Sequence, residues 1–236
     1  SYVLLAPYVG AFADRLPKGT VMFIANTVKI AGCALMLFEV NPLAAYALVG
    51  LGAAAYSPAK YGILTEYLPH SKLVTANGWI EGLTVGSIIL GVVLGGLLIR
   101  ARTADVLLGL DFPFIDTSID TPPEAALAII IVVYAIAAVF NLFIPRTGVA
   151  MKPLPGHPLD TLRDFLRCVD ALWKDKLGQI SLAVTTLFWG AGATLQFIVI
   201  DWSAAALGYN LSDASLLQGV CAFGIAAGAV LASMTV

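Results

Sequence analysis

Long, uninterrupted apolar runs constrain this chain more than any other feature of its sequence. A helix needs about 20 mostly apolar residues to cross the hydrocarbon of a bilayer. Runs that meet or approach that length are Thr20–Val40, Leu43–Leu64, Leu73–Ile99, Ala125–Ile144, Gln179–Ile200 and Ser215–Val236. They are rich in Ala, Leu and Gly and lack the period-two alternation of a barrel strand. The sequence therefore predicts an all-α, polytopic transmembrane helix bundle.

The composition excludes the common soluble classes. Hydrophobic residues make up 59% of the chain and charged residues 12%, with a mean hydropathy of +0.90. A soluble domain of 236 residues with this composition would have too few charged side chains to cover its surface. The net charge of -2 does not indicate a nucleic-acid partner. The sequence shows no nucleophile triad, metal-ligand spacing or phosphate-binding glycine loop, so we expect no enzyme activity, no cofactor and no metal site.

The distribution of lysine and arginine predicts the orientation of the spans. Most basic residues fall on one side, in the loops at 14–19, 65–72 and 145–178. They are Arg15, Lys18, Lys72, Arg146, Lys152, Arg163, Arg167, Lys174 and Lys176. The opposite side holds only Arg100 and Arg102, in an acidic segment, Arg100–Glu124, that we interpret as a solvated connector. Because cytoplasmic loops carry the excess of basic residues, the three loops are predicted to be cytoplasmic.

The longest connection, Pro145–Gly178, predicts a boundary between two helical bundles. Within Leu159–Leu177, apolar residues recur every three or four positions and charged residues fill the other face. That spacing predicts an amphipathic helix on the inner membrane surface. We therefore divide the chain into part of an N-terminal bundle (1–144), a cytoplasmic linker (145–178) and the start of a C-terminal bundle (179–236).

A short basic turn between two spans carries the first family resemblance. The segment Gly10–Gly19 contains Gly10, Asp14, Arg15 and Lys18, with Pro17 before the lysine. It resembles the cytoplasmic loop between the second and third helices of the major facilitator superfamily, where a glycine is usual at the position of Pro17. The resemblance implies that the chain covers the end of helix two through helix eight of that fold. It also implies that the chain is a fragment and that this loop acts as a conformational gate stabilising the outward-open state.

The run Leu73–Ile99 is unusually rich in glycine. Gly82 with Gly86, and Gly91 with Gly95, have the GxxxG spacing that permits close helix crossing, and Gly96 follows directly. We predict a helix-packing role for these five residues. Gly95 and Gly96 also resemble a glycine-rich motif of antiporter-type facilitators, although the accompanying proline is absent.

Three further segments sharpen the resemblance. Gly52–Leu64, Lys72–Gly78 and Leu187–Gly192 are similar to bacterial lysophospholipid transporters and to the transporter part of their fusions with acyltransferase and acyl-carrier-protein synthetase domains. The resemblance implies movement of lysophosphatidylethanolamine and lysophosphatidylglycerol from the outer to the inner leaflet of the bacterial inner membrane. Its implied partners are the lysophospholipid substrate, membrane lipids and an acyltransferase or acyl-carrier-protein synthetase, separate or fused.

Ionisable and polar residues inside the spans are the candidate substrate contacts, because a mid-membrane charge costs about 2.5–3.5 kcal/mol even on insertion scales. Lys29 and Glu81 lie at similar predicted depth, where they either pair with each other or meet a lipid headgroup. Lys60 either extends to the inner surface or contacts a phosphate. The remaining candidates also have ordinary packing or helix–helix bonding interpretations: Tyr56, Asn26, Asn77, Trp189 and Gln196.

Two other functions stay open at this point. A proton-coupled facilitator exporting drugs or small metabolites would need a buried acid, for which Glu81 is the candidate. A non-transporting membrane scaffold would use the amphipathic helix to recruit a soluble enzyme.

Overall fold

A computed structural model of the chain describes residues 2–99, 103, 121–151 and 157–234. The regular structure of these residues is α-helical, which confirms the predicted all-α class. The helices are α1 (Tyr2–Arg15), α2 (Lys18–Leu37), α3 (Pro42–Tyr67), α4 (His70–Leu98), α5 (Pro122–Leu142), α6 (Pro158–Lys174), α7 (Lys176–Leu207) and α8 (Leu211–Met234). Most of the acidic connector Arg100–Glu124, and Lys152 of the predicted cytoplasmic loop, lie outside the described residues.

Helix lengths and surfaces suit a bilayer. By length and composition, α2, α4, α5 and α7 are each able to cross a membrane. Helix α3 is 26 residues long and contains the polar residues Ser57 and Lys60. Large apolar side chains such as Leu43, Phe143 and Leu177 are more than three-quarters exposed. In water such a surface would be an aggregation hazard, whereas lipid tails cover it without cost.

The chain forms two compact units. Unit 1 comprises residues 1–73 and 127–170, and unit 2 comprises residues 74–126 and 171–236. Unit 1 therefore holds α1, α2, α3 and most of α5 and α6, whereas unit 2 holds most of α4 together with α7 and α8. The domain limits drawn from the sequence stay a prediction.

Unit 1 is built on a close contact between α2 and α3. A Cβ atom added at Gly52 would lie 2.6 Å from the backbone oxygen of Ala25, and one added at Gly32 would lie 2.6 Å from Val49. Neither approach is possible with a larger residue, so the absence of a side chain lets the two backbones meet. The buried core beside this contact consists of Ala13, Val21, Met22 and Ala59.

The predicted packing glycines of α4 have open surroundings. A Cβ atom added at Gly82, Gly86, Gly91 or Gly95 would meet no atom within 4 Å among the described residues, although Gly96 is buried. Their packing role stays a prediction. In unit 2 the close approach is instead at Gly219 of α8, where an added Cβ would lie 3.0 Å from Val93 of α4.

The amphipathic helix α6 is joined to α7 by a single residue, Asp175. The Asp175 carboxylate caps α7 by accepting the backbone N–H of Gly178 at 2.8 Å. Gly178 also packs against the carbonyl of Leu172, a position without room for a Cβ atom. The apolar residues Leu166 and Trp173 of α6 are more than half exposed. The predicted helix therefore forms, and its location on the membrane surface stays a prediction.

We expect Gly52→Ala to destabilise unit 1 by about 1–3 kcal/mol, because the new methyl group would collide with the backbone of α2. The measurement is the thermal unfolding midpoint of the detergent-solubilised protein. The matched control is Gly82→Ala, where the methyl group enters open space and improves helix propensity. An unchanged midpoint for Gly52→Ala would contradict the tight α2–α3 contact, whereas a lower midpoint for Gly82→Ala would support the predicted packing role of α4.

Candidate functional site

A buried lysine forms the most unusual polar cluster of unit 1. Lys29 on α2 is only 9% exposed, and its Nζ donates to Asn26 Oδ1 at 3.2 Å. The same Nζ lies 4.4 Å from the ring centroid of Tyr56 on α3 and 5.2 Å from that of Tyr134 on α5. Three helices thus surround one ammonium group with an amide and two aromatic faces, which attract it through cation–π interactions. We call these four residues the Lys29 cluster.

The shape of the cluster depends on Gly52. A Cβ atom added there would lie 2.8 Å from Lys29 Cγ, so the glycine leaves room for the aliphatic stem of the lysine. The side chain can then run between α2 and α3 towards the tyrosine rings.

The Lys29 cluster has hydrogen-bond donors to spare. Among the described residues of unit 1, no carboxylate lies within 4.0 Å of Lys29 Nζ. An ammonium group carries three N–H donors, of which Asn26 accepts one. Asn26 is 2% exposed, and its Nδ2 group has no partner among the described residues. Because buried donors need acceptors, the arrangement suits an oxygen-rich, anionic ligand such as a phosphate.

The sequence predicted Lys29, Asn26 and Tyr56 as site residues, and the structure brings these three together. Tyr134 was missed. It lies in the middle of the apolar run Ala125–Ile144, where only its phenol group distinguishes it from the surrounding aliphatic residues. A tyrosine at mid-span was the available signal, but its partner on α2 could not be identified from spacing.

Other predicted contacts lie elsewhere. Lys60 follows Tyr56 by one turn of α3, and its Nζ lies 4.5 Å from the ring of Tyr61. Glu81 and Asn77 are on α4 in unit 2, with Glu81 half-buried and Asn77 exposed. Neither Lys60 nor Glu81 is a free charge. The alternatives given above for Lys29, Glu81 and Lys60 therefore stay predictions.

The predicted gate motif forms an ion-pair cluster at the end of α1. Lys18 is 7% exposed, and its Nζ bonds Ala13 O at 2.8 Å and Asp14 Oδ1 at 2.9 Å. It also pairs with Glu66 Oε1 of α3 at 3.5 Å. The other oxygen of Glu66 accepts the Thr147 hydroxyl at 2.6 Å. We call Asp14, Lys18, Glu66 and Thr147 the Lys18 clasp, which ties the turn after α1 to the end of α3 and to the segment after α5.

The turn after α1 and the segment after α5 have other features in common with the clasp region. The Tyr67 hydroxyl donates to the backbone oxygen of Pro145 at 2.6 Å, a second link to the same segment. Of the other motif residues, Arg15 is exposed and Gly10 has open space where a side chain would be. A cavity of about 270 Å³ beside the clasp is lined in part by Asp14, Glu66 and Arg146. The gate role of the motif Gly10, Asp14, Arg15 and Lys18 stays a prediction.

Unit 2 contains an apolar cavity of about 480 Å³. Its walls are residues of α4 and α7: Val85, Ile88, Ile89, Val92, Phe188, Trp189, Ala191, Gly192, Ala193, Leu195 and Val199. The rings of Phe188 and Trp189 meet edge to face with centroids 5.8 Å apart. The polar lining residues are Gln196 of α7 and Gln218 of α8, and none of the described lining residues is charged. A cavity of this size and character suits one flexible apolar chain that has a neutral polar group at its end.

Trp189 and Gln196 were predicted from the sequence, and both line this cavity. Gln218 was missed, although a glutamine inside the apolar run of α8 was a visible signal. The Gln196 Nε2 group donates to Gln218 Oε1 at 3.4 Å, and Gln218 Nε2 donates to the backbone oxygen of Gln196 at 3.0 Å. We call these two residues the amide pair.

Comparison with known proteins agrees with this architecture. The family model described as Major Facilitator Superfamily matches residues 1–236. The chain is 42% identical over 230 residues to proteins named "Lysophospholipid transporter LplT" from Yersinia pestis (strain Pestoides F) and Yersinia pseudotuberculosis serotype O:3 (strain YPIII). The match covers 97% of this chain and 52% of each relative, so the chain spans about half the length of the curated relatives it matches. No solved structure matches the chain significantly.

We expect Lys18→Met to destabilise unit 1 by about 1–3 kcal/mol, because it leaves the partly buried Glu66 carboxylate without its cation. The thermal midpoint of the solubilised protein measures the effect. Arg15→Met is the matched control, since it removes an exposed charge from the same turn. Equal midpoints for the two variants would contradict a stabilising clasp.

Proposed function

The chain belongs to the major facilitator superfamily, and on that premise we propose that the protein transports lysophospholipids across the bacterial inner membrane. The substrates are lysophosphatidylethanolamine and lysophosphatidylglycerol, moved from the outer to the inner leaflet by alternating access. The observation that carries this proposal is 42% identity over 97% of the chain to proteins named for lysophospholipid transport. The loops at 14–19, 65–72 and 145–178 face the cytoplasm in this proposal, where an acyltransferase or acyl-carrier-protein synthetase would receive the product.

The unit 2 cavity supports an amphiphilic substrate with one acyl chain. Its walls are apolar apart from the amide pair, and it is within the size range of small-ligand sites. We assign the acyl chain to this cavity, with Trp189 as a wall contact. Burial of each methylene group is favourable by about 0.8 kcal/mol. Contact with the apolar walls of the cavity is therefore sufficient to hold an acyl chain.

The Lys29 cluster supports the phosphate end of the same substrate class. Its spare donors suit phosphate oxygens, and the tyrosine rings keep the ammonium group of Lys29 in place when no phosphate is bound. Lys60 of unit 1, and Glu81 and Asn77 of unit 2, stay separate candidate substrate contacts in this proposal. The Lys18 clasp serves in this proposal as the cytoplasmic gate.

Two other functions have one supporting observation each. Half-burial of Glu81 would suit a proton-coupled exporter of drugs or small metabolites, and the exposed apolar face of α6 would suit a non-transporting scaffold. Labelled lysophosphatidylethanolamine in vesicles containing the full-length protein tests lipid transport against both alternatives. Inward movement that is independent of a proton gradient supports the lipid transporter, whereas no movement above empty vesicles overturns it.

We expect Gly192→Leu to reduce lysophosphatidylethanolamine movement about tenfold or more in the reconstituted full-length protein. Gly192 lines the cavity and has open space within 4 Å of an added Cβ atom, so a leucine would occupy the place of the acyl chain. Gly190→Leu is the matched control, because Gly190 has the same open surroundings on the same helix but does not line the cavity. Equal transport by the two variants would contradict acyl-chain binding in this cavity.

We expect Lys29→Gln to lower transport of phosphate-bearing lysolipids by about tenfold or more, since a charged donor to the phosphate is lost. Its thermal midpoint should be unchanged or higher, because no carboxylate in the described part of unit 1 is left unpaired. The exposed Lys72→Gln controls for a general loss of charge. A lower midpoint with unchanged transport would show that Lys29 serves the fold and does not contact substrate.

A further inference from the structure

The amide pair lies at the polar corner of an otherwise apolar cavity. Gln218 is 8% exposed, so its amide is a buried polar group that needs partners. Among the described residues, both hydrogen bonds of its amide are with Gln196, one with the side chain of that residue and one with its backbone carbonyl. The side-chain amides of Gln196 on α7 and Gln218 on α8 therefore hold each other in place beside the cavity.

The amide pair retains unused hydrogen-bonding capacity. A glutamine amide has two N–H donors and an oxygen with two lone pairs. Gln218 uses one donor and one lone pair on Gln196, which leaves one of each without a partner among the described residues. The 3.4 Å bond from Gln196 is also long, so a better acceptor can displace it.

The chemistry of the corner selects a neutral group that both donates and accepts. Among the described residues no lysine, arginine or histidine lines the cavity, so a fatty-acid carboxylate would find no cation in this part of the chain. A hydroxyl group is a donor and an acceptor at once, and it matches both free positions of Gln218. A fully apolar ligand would leave those positions unpaired.

We propose that the amide pair binds the free glycerol hydroxyl of a single-chain phospholipid and thereby excludes the two-chain form. This inference rests on the proposed function and names the group by which the same cavity recognises its substrate. A diacyl phospholipid carries an ester in place of that hydroxyl, so the donor is lost and a second chain must enter. A site built to bond a hydroxyl rejects analogues without it, because the buried amide is then left unsatisfied.

The test compares two lipids in vesicles containing the full-length protein. One is 1-palmitoyl lysophosphatidylethanolamine, and the other is the same molecule with the glycerol hydroxyl replaced by hydrogen. We expect the natural protein to move the hydroxyl form about three- to tenfold faster at low lipid concentration, the effect of one net hydrogen bond. We expect Gln218→Leu to reduce this preference to less than about twofold, mainly by slowing the hydroxyl form.

Two further variants keep the test decisive. Gln196→Leu changes an exposed partner, so it serves if Gln218→Leu does not fold, and it should also reduce the preference. Thr194→Val on α7 is the control, because its hydroxyl bonds its own helix at Gly190 O and does not line the cavity. It should keep the full preference.

The outcomes separate the two proposals. Equal movement of both lipids by the natural protein, or a full preference in both leucine variants, overturns the role of the amide pair and leaves lysophospholipid transport standing. Movement of neither lipid overturns the transport proposal and the amide-pair inference with it. Preference lost in both leucine variants and kept in Thr194→Val supports the inference.

Discussion

The close approach of α2 and α3 at Gly52 is the contact on which unit 1 depends. The backbone of Ala25 and the stem of Lys29 both occupy the space where a side chain at position 52 would be. With the helices this near, the ammonium group of Lys29 reaches the ring of Tyr56 across the interface and can be held without a carboxylate among the described residues of the unit. The absence of a side chain at Gly52 thus determines both the packing of α2 on α3 and the polar contacts of the Lys29 cluster.

The two candidate binding features are suited to different parts of an amphiphilic molecule. The Lys29 cluster offers charge and spare donors in surroundings of aromatic rings, whereas the unit 2 cavity offers apolar walls with one neutral polar corner. Each feature by itself matches one part of a lysophospholipid, because a phosphate needs cations and an acyl chain needs a dry surface. Their presence in one chain is the structural support for the proposed substrate class.

Most of the fold followed from the sequence, because peptide groups in hydrocarbon must bond within their own helix and long apolar runs leave no alternative. Some helices are longer than the apolar runs that predicted them, because they continue into polar sequence. Helix α7, for example, ends at Leu207, whereas the apolar run ended at Ile200. The basic turn could also be recognised, since its residues are neighbours in the chain. Tyr134 and Gln218 could not, because each meets its partner only through packing between distant runs.

The glycines also show that contacts between helices could not be identified from the sequence alone. The GxxxG spacing on α4 is visible in the sequence, whereas Gly32 and Gly52 have no glycine four residues away. Close approach depends on what the facing helix presents, and spacing on one helix does not report it.

The single-residue join at Asp175 has a mechanical consequence. With Gly178 packed against Leu172 and the Asp175 carboxylate closing the first turn of α7, there is no slack segment between α6 and α7. When α7 tilts, the end of α6 must move with it. The energy of this motion then depends on the surroundings of the exposed Trp173. Where α6 lies on the membrane surface, as its sequence predicts, the thickness of the bilayer and the crowding of its headgroups would contribute to the energy of that motion.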